Sequence, residues 1–259
     1  MPHAELNGQR IYFQDTGGDG LPVVLAHGFL MDRSMFEPQI EALASSYRLI
    51  TWDQRGFGQT EFDSQPFTYW DSADDCLALL DHLQLDRAVI GGMSQGGFVA
   101  LRAALKAPER VHALILLATQ AGLEDPANVS VYQGMLDDWV TNGPQDELAA
   151  IVADIIIAKP DENARWIAKW KARPKELIRE PGRTLLERDD ITDRIGEIEA
   201  PALVIHGSED TAIPMERAEV LARGLGGAGD VVKVPGAHAA NLTHPEAVNA
   251  AIGEFLAGL

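Results

Sequence analysis

The chain has 259 residues, of which 46% are hydrophobic and 23% are charged, and its formal net charge is −18. This composition is typical of a globular protein with one large core and excludes a disordered or fibrous chain. The excess of acidic residues argues against nucleic acid and anionic membranes as partners, because both are bound through clustered Lys and Arg.

The start of the chain indicates where the protein resides. Met1 to Glu5 contains no basic segment followed by an apolar one, and no apolar run is long enough to span a bilayer. We therefore expect a cytoplasmic protein. The only cysteine, Cys76, lacks an internal disulfide partner and falls on an apolar helix face, where we expect it to pack. No Cys/His cluster suggests a metal, and we expect neither a metal nor a cofactor.

Short apolar runs alternate with helical patterns along the first half of the chain, which predicts βαβ units and a parallel sheet covered on both faces. The predicted strands are 11–14, 22–26, 47–52, 88–91, 113–117, 202–206 and 231–234. The predicted helices of this core are 34–44, 69–83, 96–107, 215–225 and 245–256.

The pattern changes between 122 and 196, where amphipathic stretches at 131–141, 144–157 and 162–172 occur without a convincing strand. We expect residues 1–121 and 196–259 to form the core, and residues 122–195 to form a helical cap. An insertion entered from the carboxyl end of a strand lies over the binding edge of an open α/β sheet, where a lid belongs.

The pentapeptide Gly92-Met93-Ser94-Gln95-Gly96 follows an apolar strand and precedes a helix. In that context a G-x-S-x-G motif predicts a nucleophile elbow, in which the serine has a positive φ and its hydroxyl stands above the sheet. The flanking glycines let strand and helix approach closely. Ser94 is therefore the candidate nucleophile, although a serine in such a turn can also simply cap a helix.

A serine nucleophile needs a base and a group that orients the base. Candidates that follow later strands are Asp210 and His238, and we expect them to complete a catalytic triad with Ser94. Glu209 is the alternative to Asp210. His244 is the weaker alternative to His238, because it precedes Pro245 at the predicted start of the last helix.

The other histidines receive structural interpretations. His206 falls inside a strand, His3 is terminal, and His82 and His112 fall in or beside helical patterns. For the oxyanion hole, we expect the backbone N–H of Gln95, at a helix start, and that of Phe29, in the loop after an earlier strand.

These motifs together resemble those of the capped α/β-hydrolases, in the branch of serine esterases and 3-oxoadipate enol-lactonase-like proteins. The segments that carry the resemblance are His27-Gly28-Phe29, Asp53 to Gly58, Gly92 to Gly97, Gly207 to Asp210, and Gly236-Ala237-His238 with Asn241 and Pro245-Glu246 beyond. The resemblance spans the whole chain and implies an α/β-hydrolase fold, a mostly parallel eight-stranded sheet flanked by helices with a helical cap. It also implies that Arg55 has a structural role.

The same comparison disfavours some activities. Haloalkane dehalogenases and epoxide hydrolases have aspartate where this chain has Ser94. Meta-cleavage C–C hydrolases typically have a tryptophan soon after the histidine, whereas Ala239-Ala240 follows His238 here.

The predicted cap supplies candidates for the substrate pocket, namely Trp139, Trp166 and Trp170, the last two on one helical face. The alternative is that such a stripe packs the cap onto the core. Arg165, Arg173 and Arg179 are candidates for binding a substrate carboxylate, with nothing to single one out.

The sequence therefore predicts a carboxylic ester hydrolase, an esterase or lactonase that forms an acyl-enzyme on Ser94 and acts on a small molecule. Two alternatives stay open. A cofactor-free perhydrolase would use the same triad, and a slow ligand-sensing or signalling protein could use the same scaffold.

Overall fold

A computed structural model describes residues 3–259 of the protein. Its strands are β1 (His3–Leu6), β2 (Gln9–Asp15), β3 (Pro22–Ala26), β4 (Arg48–Trp52), β5 (Ala88–Met93), β6 (Val111–Leu117), β7 (Ala202–Gly207) and β8 (Val232–Val234). They form one eight-stranded sheet in the order β1-β2-β4-β3-β5-β6-β7-β8. β1 pairs with β2, and β2 with β4, in antiparallel fashion, and the remaining pairs are parallel.

The α-helices described between residues 3 and 259 lie on both faces of the sheet and between its strands. They are α1 (Glu37–Leu43), α2 (Tyr69–His82), α3 (Gln95–Lys106), α4 (Pro126–Asn142), α5 (Asp146–Ile156), α6 (Pro160–Lys171), α7 (Arg179–Leu186), α8 (Met215–Gly224), α9 (Ala240–Thr243) and α10 (Pro245–Ala257).

Alternating side chains of the central strands divide the core into two layers. Ile90 and Leu114 belong to the cluster that also contains α2, α3 and α8, whereas Val89 and Ile115 belong to the cluster with α1 and α10. Strands buried on both faces need apolar residues at every position, which explains their continuous apolar runs. The predicted fold class, a mostly parallel eight-stranded sheet flanked by helices, is confirmed.

Three elements with their own labels escaped the sequence prediction, and one of them, α9, has only four residues. The first of the other two is β1, a four-residue strand that forms a hairpin with β2 through Asn7 and Gly8. Both turn residues have positive φ, 47° and 76°. Asn-Gly is a strong signal for such a turn, so the hairpin was readable from the sequence.

The second is α7, which contains Pro181 and Gly182 and therefore looks like a turn in the sequence. The helix forms because these small residues are buried against neighbouring segments. A Cβ on Gly182 would lie 2.4 Å from Leu136 of α4, and a Cβ on Gly56 would lie 2.4 Å from the Pro181 ring. Tertiary packing thus overrides local propensity.

Helices α4 to α7 come between β6 and β7 in the sequence, and we call them the helical insertion. The boundaries of the cap, 122–195, stay a prediction. His112 lies within β6 and not beside a helix as predicted, since β6 begins at Val111, two residues earlier than expected. Across residues 3–259, every helix is too short or too polar to cross a bilayer.

Candidate active site

The turn around Ser94 connects β5 to α3. Ser94 has φ 53° and ψ −113°, the positive φ that the motif predicts. Its N–H donates to the Leu117 carbonyl at 2.9 Å, and its own carbonyl accepts from the Thr119 hydroxyl at 2.8 Å. These bonds on both sides hold a backbone conformation that is strained for a non-glycine residue.

Gly96 permits the close approach of α3 to β3. A Cβ at this position would lie 1.9 Å from the carbonyl oxygen of Ala26, and one on Gly92 would lie 2.4 Å from the same oxygen. At such distances a Cβ would overlap backbone atoms, which cannot move aside without shifting the strand or the helix. The two glycines of the motif are therefore required by the approach of three backbone segments.

Asp210 follows β7 and its side chain is fully buried. Oδ1 accepts from the N–H groups of Ala212 and Ile213 at 2.9 and 3.0 Å, and Oδ2 lies 2.7 Å from Nδ1 of His238. Burial by itself raises the pKa of Asp210, but His238 and the Ile213 N–H outweigh it and leave the pKa below its ordinary value. Asp210 is thus a carboxylate at neutral pH, and the His238 Nδ1–H donates to it.

The alternatives to these two residues have other surroundings. Glu209 is exposed. Nδ1 of His244 lies 3.0 Å from the Thr243 hydroxyl, and its ring packs against Gly236, where a Cβ would come within 2.4 Å of it. The structure therefore brings Asp210 to His238 and leaves Glu209 and His244 apart from that contact.

His206 also contacts Asp210, which the sequence interpretation missed. This residue is buried in β7, with Nε2 2.8 Å from the Ile213 carbonyl and 3.3 Å from Oδ2 of Asp210. Burial lowers the pKa of His206, so the ring is neutral at neutral pH and donates through Nε2. A histidine near the carboxyl end of the strand that precedes the aspartate was the available signal.

Four of the candidate residues follow parallel strands and therefore meet at one edge of the sheet. They are Phe29 after β3, Ser94 after β5, Asp210 after β7 and His238 after β8. Ser94 and His238 line the same cavity. Within residues 3–259, no hydrogen bond joins the Ser94 hydroxyl to the His238 ring. Such bonds are often long in an unliganded site and tighten when substrate binds.

Two backbone N–H groups are associated with Ser94: that of Gln95, which follows it in the chain, and that of Phe29, which lines the same cavity. Those of Phe29 and Gln95 have no acceptor within residues 3–259, and Gln95 is the first residue of α3, where the helix dipole favours negative charge. The loop that carries Phe29 is fixed by His27, whose Nδ1–H donates to the Gly28 carbonyl at 2.8 Å and whose Nε2 accepts from the Gln54 N–H at 3.0 Å. Burial lowers the pKa of His27 to about 4. His27 therefore has a structural role as a neutral ring.

The cavity above Ser94 has a volume of about 160 Å³ and mostly apolar walls. The core contributes Phe29, Leu30, Met93, Phe98, Ala212 and Ile213, and the remaining apolar side chains come from residues 132–186. These side chains are Tyr132, Met135, Leu136, Trp139, Val152, Ile155, Ile156, Ile178, Leu185 and Leu186. Walls of this kind, with few polar groups, are typical of small-molecule pockets.

Of the three predicted pocket tryptophans, Trp139 lines this cavity. The structure does not bring Trp166 or Trp170 to this cavity, although Trp170 and Trp139 together line a smaller one. Trp166 and Trp170 are buried in the apolar cluster that joins α6 to the core, and the Trp170 Nε1–H donates to the Leu30 carbonyl at 2.6 Å. Their shared helical face thus packs α6 onto the loop that carries Phe29.

The predicted carboxylate-binding arginines also lie away from the cavity lining. Arg165 pairs with Glu37 at 2.9 Å, and Arg173 donates to the Gly56 carbonyl at 2.6 Å. The arginine that lines the cavity is Arg188, which follows α7 and lies 3.9 Å from the carboxylate of Glu124. Arg55, as expected, is structural, since it pairs with buried Asp75 of α2 at 2.6 Å.

In the described part of the chain, no three His, Cys, Asp or Glu side chains are grouped as a metal site requires. Cys76 is buried in α2, and its burial raises the pKa of the thiol to about 12.

The comparisons with known proteins agree with this fold. Residues 22–245 match the alpha/beta hydrolase fold family. A putative carbamate hydrolase from Rhizobium rhizogenes is 32% identical over 252 residues, which cover 92% of this chain and 93% of that protein.

Two solved structures are similar over nearly their full lengths. A thermophilic esterase from Thermogutta terrifontis, solved with malate bound, has a TM-score of 0.90 and 30% identity, covering 99% of this chain and 97% of its own. The enol-lactonase from Burkholderia xenovorans LB400 has a TM-score of 0.91 and 26% identity, covering 99% and 100%.

The fold and these relatives define a hydrolase. The chain belongs to the alpha/beta hydrolase fold family.

Proposed function

We propose that the protein is a serine hydrolase that cleaves a small carboxylic ester or lactone through an acyl-enzyme. The observation that carries the proposal is the distance of 2.7 Å between Asp210 Oδ2 and His238 Nδ1. His238 lines the same cavity as Ser94, whose backbone has a strained positive φ. The esterase and the enol-lactonase among the similar structures support the same class of substrate.

In the proposed reaction, His238 Nε2 takes the hydroxyl proton of Ser94 while Oγ forms a bond to the substrate carbonyl carbon. The carbonyl oxygen becomes an oxyanion and accepts hydrogen bonds from the Phe29 and Gln95 N–H groups. When the tetrahedral intermediate collapses, the bond to the leaving alcohol oxygen breaks and His238 gives that oxygen its proton. Asp210 holds His238 in the required tautomer and stabilises its charged form.

The second half of the reaction uses the same groups. His238 takes a proton from water, and the resulting hydroxide attacks the acyl carbon. The bond to Ser94 Oγ then breaks, and the proton returns to Ser94. We also propose that residues 122–195 act as a cap, because residues of this range form most of the lining of the cavity that contains Ser94.

The test is turnover of p-nitrophenyl acetate by S94A and by S208A, which alters an exposed serine near Asp210. We expect S94A to lose about three orders of magnitude or more in kcat and S208A to retain wild-type activity. Substantial activity in folded S94A would refute the proposal. A single slow turnover by the wild type would favour a ligand sensor instead.

A second candidate is perhydrolase activity. A Synechocystis relative that is 30% identical over 264 residues is named a putative non-heme chloroperoxidase, and peroxide can replace water as the acyl acceptor in the steps above. The ratio of peracid to acid formed from an ester in the presence of hydrogen peroxide separates the two activities. A ratio no higher than that of the uncatalysed exchange excludes the perhydrolase.

A further inference from the structure

Arg188 is a buried cation on the wall of the Ser94 cavity, 7% exposed. Its Nε–H donates to the Gly122 carbonyl at 3.2 Å, and its Nη1–H donates to the Leu185 carbonyl at 2.7 Å. The guanidinium carbon lies 4.7 Å from the centre of the Phe98 ring. These contacts fix the side chain without supplying a negative charge.

The third guanidinium nitrogen of Arg188, Nη2, is buried and has no hydrogen-bond acceptor among the described residues. The carboxylate of Glu124 is 3.9 Å from it, beyond hydrogen-bond distance. Burial, together with the nearby Arg102 and Arg217, lowers the pKa of Arg188 even though Tyr69 and Glu124 favour its charged form. A buried cation with an unused donor is costly to a protein unless an anion completes it.

The cavity around Arg188 offers little else that is polar. Gln120 lies on the same wall, and its Oε1 is buried without a hydrogen bond among the described residues. Most of the other residues that line the cavity with Ser94 and Arg188 are aliphatic or aromatic, such as Phe98, Leu185 and Ile213. A ligand that fills the cavity therefore needs an ester carbonyl at Ser94, an aliphatic middle, and a group that satisfies Arg188.

We propose that Arg188 selects substrates whose acyl chain ends in a carboxylate, so that the substrate class is a monoester or lactone derived from a dicarboxylic acid. The proposal rests on the hydrolase activity proposed above. The substrate carboxylate accepts a hydrogen bond from Nη2 of Arg188 and replaces the contact between Arg188 and Glu124. A charge-assisted hydrogen bond is stronger than a neutral one, which favours a carboxylate over an amide at this position.

The test compares three methyl esters of equal length and shape: monomethyl glutarate, methyl glutaramate, and an ester whose chain ends in an isopropyl group. The chain ends are a carboxylate, an amide and an apolar group. We expect kcat/KM of the wild type to be about tenfold to hundredfold higher for the carboxylate than for the apolar ester, with the amide between them. A preference for the apolar or the amide ester would overturn the proposal.

Variants test whether Arg188 causes the preference for the carboxylate ester. In R188Q the ratio of kcat/KM for the carboxylate ester to that for the apolar ester should fall to about one or below. In E124Q the same ratio should rise, because a competing carboxylate is removed. R165Q removes the same charge from an exposed position outside the cavity and should keep the wild-type ratio. An R188Q ratio equal to that of R165Q would overturn the proposal.

Failure of the Arg188 proposal and failure of the proposed hydrolase activity give different results in these experiments. If R188Q fails to fold, the E124Q ratio decides, and a ratio at or below that of the wild type contradicts the role of Arg188. If p-nitrophenyl acetate and all three methyl esters are inert, the hydrolase activity itself is wrong. If p-nitrophenyl acetate turns over but the three methyl esters do not differ, only the Arg188 proposal is wrong.

Discussion

His206 lies directly behind Asp210, with Nε2 3.3 Å from the carboxylate oxygen that also accepts from His238. Asp210 thus stands between two imidazoles, one on the cavity and one in the interior of the sheet. The inner ring is neutral and its Nε2–H donates to the Ile213 carbonyl, and the Ile213 N–H in turn donates to Asp210. This arrangement makes His206 a positioning residue for the carboxylate.

We expect H206F to lower kcat for p-nitrophenyl acetate by about twofold to tenfold relative to H206Q, with similar KM. Gln retains an N–H donor, whereas Phe has none, and one neutral hydrogen bond contributes about 0.5–1.5 kcal/mol. Steady-state kinetics and the Tm of both variants provide the measurement. Equal kcat values, with only the Tm lower in H206F, would leave His206 a purely structural role.

His27 predicts a loss of stability in mild acid. Unfolded, it takes up a proton near its ordinary pKa of about 6.5, whereas in the folded chain the pKa is about 4. Between these values the unfolded state binds more protons, so the free energy of unfolding falls as the pH falls. The difference corresponds to about 3 kcal/mol lost between neutral pH and about pH 4.

Urea unfolding of wild type and H27Q at several pH values measures this loss. Gln carries an acceptor for the Gln54 N–H and a donor for the Gly28 carbonyl, but it does not titrate. We expect H27Q to lose about 3 kcal/mol less than the wild type over the same pH interval. H82Q, which alters an exposed histidine of α2, should follow the wild type. Parallel curves for wild type and H27Q would contradict the assignment.

Gly96 and Gly134 give opposite predictions for the same substitution. G96A places a methyl group 1.9 Å from the Ala26 carbonyl oxygen, and we expect it to destabilise the protein by at least about 2 kcal/mol and to abolish turnover. Gly134 is an exposed residue of α4 with no atom within 4 Å of the added Cβ. G134A should stabilise by up to about 1 kcal/mol. Chemical unfolding of both variants checks the contrast, and equal effects would refute it.

Trp170 and Trp166 form a matched pair on α6. The Trp170 indole N–H holds the Leu30 carbonyl beside Phe29, whereas the buried Trp166 Nε1 has no hydrogen bond in the described residues. We expect W170F to lower kcat by about twofold to tenfold more than W166F, because only W170F frees the loop that carries the proposed oxyanion donor. The kcat values of the two folded variants give the answer. A larger loss in W166F would argue against this role of the loop.

Much of the site was predictable because its signals are local. The strand, Gly92 to Gly96 and the following helix are contiguous, and steric contacts of backbone atoms require the glycines. Residues that follow parallel strands meet at one sheet edge, so the strand ends made Asp210 and His238 candidates, with Glu209 and His244 as alternatives.

The remaining features depend on contacts between distant segments. The spacing of Trp166 and Trp170 indicated a shared helical face but not whether that face meets the core or the cavity. Arg188 lies in Glu187-Arg188-Asp189-Asp190, which looks like a solvated charged run. Only the packing of α7 against the cavity buries one member of that run. Likewise α7 needs Leu136 and Gly56 as neighbours before its Pro-Gly pair is compatible with a helix.

The central claim is that Ser94 is a nucleophile activated by His238. The most direct measurement is intact mass and peptide mapping after reaction with a fluorophosphonate, which forms a stable covalent bond with an activated serine. We expect one adduct per chain on the peptide that contains Ser94, much slower labelling in H238A, and none in S94A. An unlabelled wild type, or an adduct on another residue that persists in S94A, would contradict the central claim.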